Sequence, residues 1–386
     1  MGRWVILLAL LLCFQSVLGD VIDVPGEQPT IQAAVAVAVD GDVISVAAGT
    51  YTEQIRIDDK DITLQGAGIG QSIIEAVPLT GRTTYSVTTW AGDLRTIDAC
   101  IGVTGSTVSI TGFTIDGEAL GPDNFYGVHY FNSNGAVTNC RLVDITDAVG
   151  TGSSRVVSLA ATHGIGGSCT VDFNNNEVPV FQKGGILLMG PSASGHVNDN
   201  TVIGGGTTVV AQNGIQISYG AQATLSGNHV SMVAYPGTDW AGTGILLFEC
   251  GNVAVSGGAL TGCQIAIGHS QWNWIYMPLS TPTIIVDGVT LDQNEWAVTT
   301  HLADAGVALN LEVRNCTITN TVNSGVDLYG SGVDPWGGSI YQGWTNGTLI
   351  AKIRDNTIAN GGVGIAEVVD VATGNSVSCD VGSNDL

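Results

Sequence analysis

The sequence predicts an all-β solenoid, in which one chain winds into coils and the strands of successive coils stack as parallel sheets. A short phrase containing Asn or Gly at a bend and closing on an apolar residue returns about ten times, as in Val-Arg-Asn-Cys-Thr-Ile (313–318). The closing apolar residues, from Ile115 to Leu386, follow one another at roughly 30 residues, a spacing typical of repeat architectures. The 386 residues include 54 glycines and only 12% charged residues, which favours a large core over disorder. We therefore expect roughly 10–12 coils in one elongated domain.

A second repeated pattern marks the strands within each coil. It reads Gly127-Val128-His129-Tyr130, Gly185-Ile186-Leu187-Leu188 and Gly214-Ile215-Gln216-Ile217, among other copies. Short strands with alternating inward apolar residues are what a helically wound parallel sheet requires. Asn and Gly at the bends suit left-handed backbone conformations, and stacked Asn side chains can form ladders between coils.

The N-terminal segment differs from the coils. Residues 1–19 have a basic start, an apolar run and small residues before Asp20, which predicts a signal peptide and a secreted or cell-surface protein. The coil domain then covers residues 20–386. Within it, residues 28–39 predict a capping helix with Thr30 at or near its N-cap. Such a helix would cover the apolar end of the stack, which is otherwise an open sheet edge.

The C-terminal end stops in the middle of the coil phrase at Ser383-Asn384-Asp385-Leu386. No closing cap is visible in the sequence. We therefore expect that this end is truncated.

The balance of charge limits the class of partner. The chain has 34 acidic and 11 basic residues, and loss of Arg3 with the signal peptide changes the net charge from −23 to −24. Such a surface repels nucleic acid and anionic membranes, whose recognition begins with clustered Lys and Arg. It disfavours polyanions unless a cation mediates, so calcium stays open as a cofactor. We expect no membrane insertion and a monomer.

Seven cysteines follow the signal peptide, an odd number at long spacings and without Cys-x-x-Cys. The pattern is typical neither of a disulfide scaffold nor of a zinc site. Cys140 and Cys316 occupy equivalent bends, so we interpret the thiols as small residues packed inside the coils. A disulfide between Cys250 and Cys263 is the alternative.

The opening of the chain resembles the first coils of secreted proteins of the pectin-lyase-like group. The matching segments are Pro29-Thr30-Ile31-Gln32-Ala33-Ala34, Gly41-Asp42-Val43-Ile44-Ser45-Val46, Gly49-Thr50-Tyr51 with Glu53, and Ile62-Thr63-Leu64-Gln65-Gly66-Ala67-Gly68. These segments look most like those of pectin methylesterases, and the coil phrase continues to Leu386. The resemblance implies a single-stranded right-handed parallel β-helix that often binds carbohydrate along one outer face. It implies no single activity.

Candidate catalytic residues are few. Thr170-Val171-Asp172-Phe173 begins like the nucleophile segment of pectin methylesterases, but Asn174-Asn175-Asn176 replaces the rest of that motif. Asp172 is therefore a candidate nucleophile, with an ordinary repeat position as the alternative. His129 and His163 are candidates for acid/base work, with structural roles as the alternative. We assign no metal ligands.

One charge pattern follows from the register of the coils. Asp287, Arg314 and Arg354 each precede a closing apolar residue by four positions, so they should stack on successive coils. A surface salt-bridge ladder is the first interpretation. An anion-binding pair of arginines is the second.

Aromatic residues in insertions that lengthen the coils give the strongest functional hint. The candidate substrate-binding residues are Tyr126, Trp240, Trp272, Trp274, Trp336 and Trp344. Insertions in solenoids often form the binding surface, and flat rings beside Asp, Asn and Gln suit sugar recognition. The alternative is that these rings pack the loops onto the coils.

The sequence thus predicts an exported protein that binds polysaccharide without catalysis. A carbohydrate-active enzyme of the lyase, hydrolase or esterase type is the alternative function. A purely structural or adhesive role is the third. An enzyme would need titratable groups that converge in one groove, whereas a binding protein needs only a platform of rings.

Overall fold

The computed structural model describes residues 19–147, 155–237, 240–271, 281–302, 308–329, 348–368 and 376–385. Trp272, Trp274, Trp336 and Trp344 lie outside these ranges. Within them, the strands form three long sheets in which each strand pairs in parallel with its equivalents one coil away. The chain visits the sheets in the fixed order A, B, C and returns to A, so it is a parallel β-helix as predicted.

The strands of sheet A are β1 (Val21–Val24), β2 (Val43–Val46), β5 (Ile62–Gly66), β9 (Thr107–Thr111), β12 (Asn134–Thr138), β15 (Cys169–Asn174), β18 (Ala193–Asn198), β21 (Gln222–Ser226), β24 (Val253–Ser256), β27 (Thr283–Asp287), β30 (Ala308–Arg314), β33 (Thr348–Arg354) and β36 (Ser376–Gly382). Those of sheet B are β3 (Gly49–Thr52), β6 (Ser72–Glu75), β10 (Phe113–Asp116), β13 (Arg141–Val143), β16 (Glu177–Pro179), β19 (Thr201–Thr207), β22 (His229–Ala234), β25 (Ala259–Thr261), β28 (Thr290–Asp292), β31 (Thr317–Thr319) and β34 (Thr357–Ala359).

Those of sheet C are β4 (Ile55–Asp58), β8 (Leu94–Thr104), β11 (Phe125–Phe131), β14 (Val157–Thr162), β17 (Gly184–Met189), β20 (Asn213–Ser218), β23 (Thr243–Phe248), β26 (Ile265–Gln271), β29 (Trp296–Leu302), β32 (Ser324–Tyr329) and β35 (Val363–Val368). One further strand, β7 (Tyr85–Thr88), pairs antiparallel with β8 and forms a hairpin at the edge of sheet C. A 3-10 turn, Leu79–Gly81, precedes it.

The core consists of apolar columns that run along the axis of the coils. In sheet B, Ile115 pairs with Leu142, and Leu291, Ile318 and Ile358 follow one another in register. These closing residues are at most 4% exposed. The repeated apolar residue of the phrase is therefore the inward residue of sheet B, as its spacing predicts.

The bend between sheets A and B explains the repeated Asn. Asn139, Asn175 and Asn315 adopt φ between 51° and 54°, the left-handed region that Asn tolerates better than most residues. Next to this position a buried ladder runs from coil to coil. Asn200 Oδ1 accepts hydrogen bonds from the Nδ2 and backbone N–H of Asn176, both at 3.0 Å. The predicted Asn ladder is confirmed.

The same ladder position explains two of the cysteines. The backbone N–H of Cys140 donates to Asn176 Oδ1, and that of Cys316 donates to Asn356 Oδ1, so the two thiols do occupy equivalent places. Cys250 and Cys263 are buried and form no disulfide. The structure therefore agrees with the first interpretation, in which the thiols pack inside the coils as small residues, and does not contain the alternative disulfide.

The N-terminal cap is a short helix, α1 (Ile31–Val37), that lies against β1, β2 and β4. Thr30 is the N-cap, and its Oγ1 accepts from the N–H of Ala33 at 3.0 Å, as predicted. Glu53 accepts from the N–H groups of Ile31 and Gln32, each at 2.9 Å. At the other end, Lys60 Nζ donates to the carbonyls of residues 35, 36 and 38. Both ends of the helix are thus satisfied from the coils, with charges that complement its dipole.

Candidate functional site

Sheet C collects the polar side chains that could do chemistry. Its strands are joined to sheets A and B by the longest connections in the chain, such as the one between β22 and β23 and the one between β32 and β33. Inward residues of each strand fill the core, and its outward residues face away from it. The outward side chains of β20 and of the later strands are mostly polar and half-buried or buried.

A polar strip lies on β20 and consists of Asn213, Gln216 and Ser218. Asn213 Nδ2 donates to Gln216 Oε1 at 2.8 Å, and Gln216 Nε2 donates to Ser218 Oγ at 3.2 Å. Asn213 is 4% exposed and Ser218 is fully buried, whereas Gln216 is half-buried. The two neighbours therefore hold the Gln216 amide in one orientation, with its remaining donor and acceptor capacity available to a ligand.

An aromatic file consisting of Trp90, Tyr219 and Phe248 runs along the C-terminal edge of the same strands. The ring centroids of Trp90 and Tyr219 are 5.3 Å apart, and those of Tyr219 and Phe248 are also 5.3 Å apart. All three rings are half-buried. Burial raises the pKa of Tyr219 to about 12, so its phenol stays protonated. Rings of this kind offer apolar faces beside the amides and hydroxyls of the polar strip.

The aromatic file is assembled from separated parts of the sequence. Trp90 lies in the turn of the β7–β8 hairpin, and its backbone N–H donates to the carbonyl of His163. Tyr219 follows β20 directly, with φ at 54°. Phe248 is the last residue of β23, the next coil. Stacking of coils therefore brings together rings that are far apart along the chain.

A distal pair, His301 and Asp327, lies farther along the outer face of sheet C. Asp327 pairs in register with Thr299, and His301 lies two residues farther along β29, so their Cα atoms are about 8 Å apart by strand geometry. Trp296 and Ser324 face outward beside them. Burial raises the pKa of Asp327 to about 6, an effect that a hydrogen bond from Ser324 partly offsets. His301 is 1% exposed, its Nδ1 lies 3.4 Å from Ser270 Oγ, and burial lowers its pKa to about 4.

His129 lies under the hairpin in a closed network. Its Nδ1 is 2.7 Å from the hydroxyl of Tyr85, and its Nε2 is 2.9 Å from Thr162 Oγ1. Both nitrogens of a neutral imidazole are therefore satisfied. Burial, and then the nearby Arg56 guanidinium, lowers the pKa of His129 to about 3. With both nitrogens already engaged by protein hydroxyls, His129 has no atom left for acid/base work, and the structural interpretation holds.

The predicted aromatic residues fall in three places. Tyr126 is 8% exposed and packs on the His129 ring at 4.7 Å, beneath the hairpin, so neither face of its ring is free. Trp240 is 61% exposed and precedes β23 at the N-terminal edge of sheet C. The other four lie outside the described residues.

The two remaining candidate catalytic residues are Asp172, which lies on sheet A, and His163, whose ring nitrogens both have hydrogen-bond partners. Asp172 faces outward from sheet A, where its Oδ1 accepts from the backbone N–H of His196 at 2.8 Å and lies 2.9 Å from that residue's Nδ1. Its inward neighbours are buried, so it occupies an ordinary repeat position. His163 is buried, with Nδ1 2.8 Å from the carbonyl of Gly164 and Nε2 accepting from the N–H of Ser192.

The predicted charge ladder forms on sheet A. The Arg314 guanidinium donates to Asp287 and Glu312 at 3.0 Å, and Arg354 lies 3.7 Å from the same Glu312. The salt-bridge interpretation is confirmed. The two arginines share carboxylates, which argues against the anion-binding alternative.

Sequence reasoning missed the aromatic file and the polar strip. The alternation Asn213-Gly214-Ile215-Gln216-Ile217-Ser218 does carry a signal, because its polar residues share one face of a strand. No comparable signal marks Tyr219, which lies in an ordinary bend, and nothing in the sequence of the long insertion between β6 and β8 shows that it carries Trp90 to that bend.

The comparisons with known proteins agree with this architecture. A profile of the family described as "Periplasmic copper-binding protein (NosD)" matches residues 101–302, slightly more than half of the chain. No curated protein sequence matches the chain. No helix in the described ranges is long and apolar enough to cross a membrane.

Several solved structures are similar in fold. The GH136 lacto-N-biosidase from Eubacterium ramulus has a TM-score of 0.54 at 11% identity, over 95% of this chain and 68% of that chain. The GH87 α-1,3-glucanase from Streptomyces thermodiastaticus has a TM-score of 0.51 at 16% identity, with the same two coverages. The A-module of the mannuronan C-5 epimerase AlgE6 from Azotobacter vinelandii has a TM-score of 0.50 at 10% identity, over 92% of this chain and 94% of that chain. At these identities the likeness concerns the fold, a right-handed parallel β-helix.

Proposed function

The chain belongs to the periplasmic NosD family, and from that premise we propose that it is an exported protein that binds polysaccharide along the outer face of sheet C. The aromatic file beside the polar strip carries this proposal. Rings that stack on sugar faces and amides that bond sugar hydroxyls are the two elements that glycan recognition needs, and here they lie on adjacent coils. Trp240, at the opposite edge of sheet C, is proposed as a second contact.

Copper, which the family description names, does not fit the residues in the described part of the chain. No group of three His, Cys, Asp or Glu residues in the described ranges could hold a metal ion, and these ranges include all six histidines and the seven cysteines that follow the signal peptide. Copper thiolates need deprotonated cysteine, and burial raises the pKa of Cys100 and Cys250 to about 12. We therefore assign copper no part in the proposed function.

Replacing Tyr219 with Ala is expected to weaken glycan binding by roughly tenfold, because a stacked aromatic contact contributes about 1–1.5 kcal/mol. The protein without residues 1–19 is first screened on a glycan array, and the affinity for each hit is then measured by calorimetry. Tyr219→Phe keeps the ring and is the matched control, expected to retain binding within about twofold.

The variant Trp240→Ala tests which edge of sheet C binds the glycan. If Trp240→Ala loses glycan binding and Tyr219→Ala keeps it, the binding surface would lie at the N-terminal edge of sheet C. Absence of binding to every glycan on the array would contradict the proposed function.

Catalysis is the second candidate, and the distal pair is the observation that favours it. Between pH 4 and pH 6, Asp327 would be mostly protonated and His301 mostly neutral, so one could give a proton while the other accepts one. For glycoside hydrolysis, Asp327 would protonate the leaving oxygen as the C–O bond breaks. His301 would take a proton from the attacking water, and the water oxygen would complete the new hydroxyl.

This second function predicts a bell-shaped pH profile. Release of reducing ends from glycans that bind should be greatest near pH 5 and fall below about 4 and above about 6, following the two groups. Asp327→Asn should remove the activity, and Asp172→Asn, on sheet A, is the control expected to keep it. A glycan that binds and stays intact from pH 4 to pH 8 would leave the protein as a binder.

A further inference from the structure

We infer that the outer face of sheet C takes an uncharged glycan and discriminates against polyuronates. The inference rests on the proposed function and names the class of ligand for the same site. It is argued from three features: the chemistry of the polar strip, the engagement of the basic residues and the total charge of the chain.

The groups that would touch the ligand are neutral. The polar strip offers an amide and hydroxyls, and its members already donate to one another in a fixed direction from Asn213 to Ser218. The neighbouring outward residues on β17 and β23 are apolar or hydroxylic, as in Leu187, Met189, Thr243 and Leu246. A sugar hydroxyl can both donate to and accept from Gln216, whereas a carboxylate could only accept, and none of these groups is a cation.

The basic residues are already engaged elsewhere. Ten of the eleven Lys and Arg residues lie in the described ranges, since Arg3 is in the N-terminal segment. Seven contact carboxylates within 4.0 Å, namely Arg56, Arg82, Arg95, Arg141, Arg155, Arg314 and Arg354.

The other three are Lys60, Lys183 and Lys352. Lys60 donates to the carbonyls at the end of α1, and Lys183 donates to the carbonyl of Ala211. Lys352 is exposed on sheet A, in register between Glu312 and Asp380 and away from the polar strip. At each of the other nine bases in the described ranges, a polyuronate would have to compete with an existing acidic or carbonyl partner.

The total charge acts in the same direction. With 34 acidic residues against 11 basic ones, the surface repels an anionic polymer at any distance within the screening length, about 10 Å at 0.1 M salt. An uncharged polymer is not repelled in this way. The neutral groups of the polar strip and the negative charge of the surface thus both favour an uncharged glycan.

The test compares two panels of polymers on the protein without residues 1–19. The neutral panel contains β-1,3-, β-1,4- and α-1,4-glucans, a galactan and N-acetylglucosamine oligomers, and the anionic panel contains polygalacturonate and polymannuronate. Affinity is measured at 20 and 300 mM NaCl, with calcium and with EDTA. We expect binding to at least one neutral polymer, changing by less than about twofold with salt, and no uronate binding in EDTA.

A charge placed in the strip should reverse the preference. Gln216→Lys is expected to strengthen polygalacturonate binding by roughly fivefold or more at 20 mM NaCl and to lose that gain at 300 mM. Gln216→Glu, of nearly the same shape, is the matched control and should gain nothing for uronates. Thermal unfolding of each variant checks that the fold is kept.

The outcomes separate this inference from the proposed function. Uronate binding in EDTA that is tighter than neutral binding, and that weakens in Tyr219→Ala, would overturn the charge argument and leave the site in place. Uronate binding that needs calcium would overturn it too, because a bridging cation would then set the specificity. No binding to either panel would overturn both.

Discussion

Acidification from pH 7 to pH 5 is expected to lower the free energy of unfolding by about 2 kcal/mol for each of three buried histidines. Burial lowers the pKa of His129 and His269 to about 3 and that of His301 to about 4. In the unfolded chain each imidazole has its ordinary pKa near 6.5. The unfolded state therefore binds more protons below pH 6.5, and the stabilisation present above that pH is lost as the pH falls towards the folded value.

His269 gives the clearest test because it points into the core. Its strand neighbours in the adjoining coils are Leu247 and Thr300, and neither of its ring nitrogens meets a hydrogen-bond partner within the described part of the chain. His269→Leu should remove about 1.1 kcal/mol per pH unit from the mean slope of stability between pH 6.5 and pH 5. It should also raise stability at pH 7, since a buried imidazole without partners is replaced by an apolar side chain.

The measurement is urea unfolding at pH 7 and pH 5, followed by circular dichroism and tryptophan fluorescence together. The exposed His229→Gln is the control, expected to keep the slope of the unchanged protein. Burial raises the pKa of Asp98 and of Asp327, so these two groups act with the opposite sign. The contributions of these aspartates are the same in the variant and the parent, so they cancel when the two are compared. Equal slopes of unfolding free energy against pH for His269→Leu and the parent would refute the prediction.

The fold could be predicted because it depends on local rules that repeat. Leu291, Ile318 and Ile358 are closing residues of the phrase, and the structure pairs them in register. A one-residue slip would turn every inward residue outward, so the apolar period alone specifies the register. Counting back four residues from the closing residues predicted that Asp287 and Arg314 lie on successive coils. Their side chains form an ion pair at 3.0 Å.

The candidate site could be predicted only in part, because it depends on contacts between unrelated segments. Tyr126 was expected in an exposed insertion, but it lies on β11 and the β7–β8 hairpin covers it. The same hairpin carries Trp90 to Tyr219, which lies in an ordinary bend. The repeat specifies where each coil lies, but it does not specify how an insertion folds back over the outer face. The docking of one hairpin thus decided both the burial of Tyr126 and the formation of the aromatic file.

That docking depends on a buried ion pair between Arg82 and Asp98. The Arg82 Nη1 and Asp98 Oδ2 atoms are 3.5 Å apart, and the two side chains are 3% and 4% exposed. Arg82 Nε also donates to the carbonyl of Val77 at 2.8 Å, and the guanidinium lies 4.5 Å from the centroid of Phe125. Asp98 belongs to β8 and accepts from Gln54 Nε2 at 3.2 Å. The pair therefore ties the segment before β7 to the wall of sheet C.

Replacing Arg82 with Met is expected to lower the free energy of unfolding at pH 7 by about 3–5 kcal/mol, because it leaves the Asp98 carboxylate buried without its counter-charge. Burial already raises the pKa of Asp98 with Arg82 present, so the loss should shrink as the pH falls and the carboxyl takes up a proton. The double variant Arg82→Met, Asp98→Asn should recover most of the loss at pH 7, and Arg95→Met, at a half-buried arginine paired with an exposed aspartate, is the control. Glycan affinity should fall in the single variant although Trp90 is intact, since the hairpin that positions its ring is no longer fastened. If Arg82→Met unfolded like the parent at pH 7, the ion pair would not be what holds the hairpin, and the aromatic file would have to be positioned by the strand pairing of β7 with β8 alone.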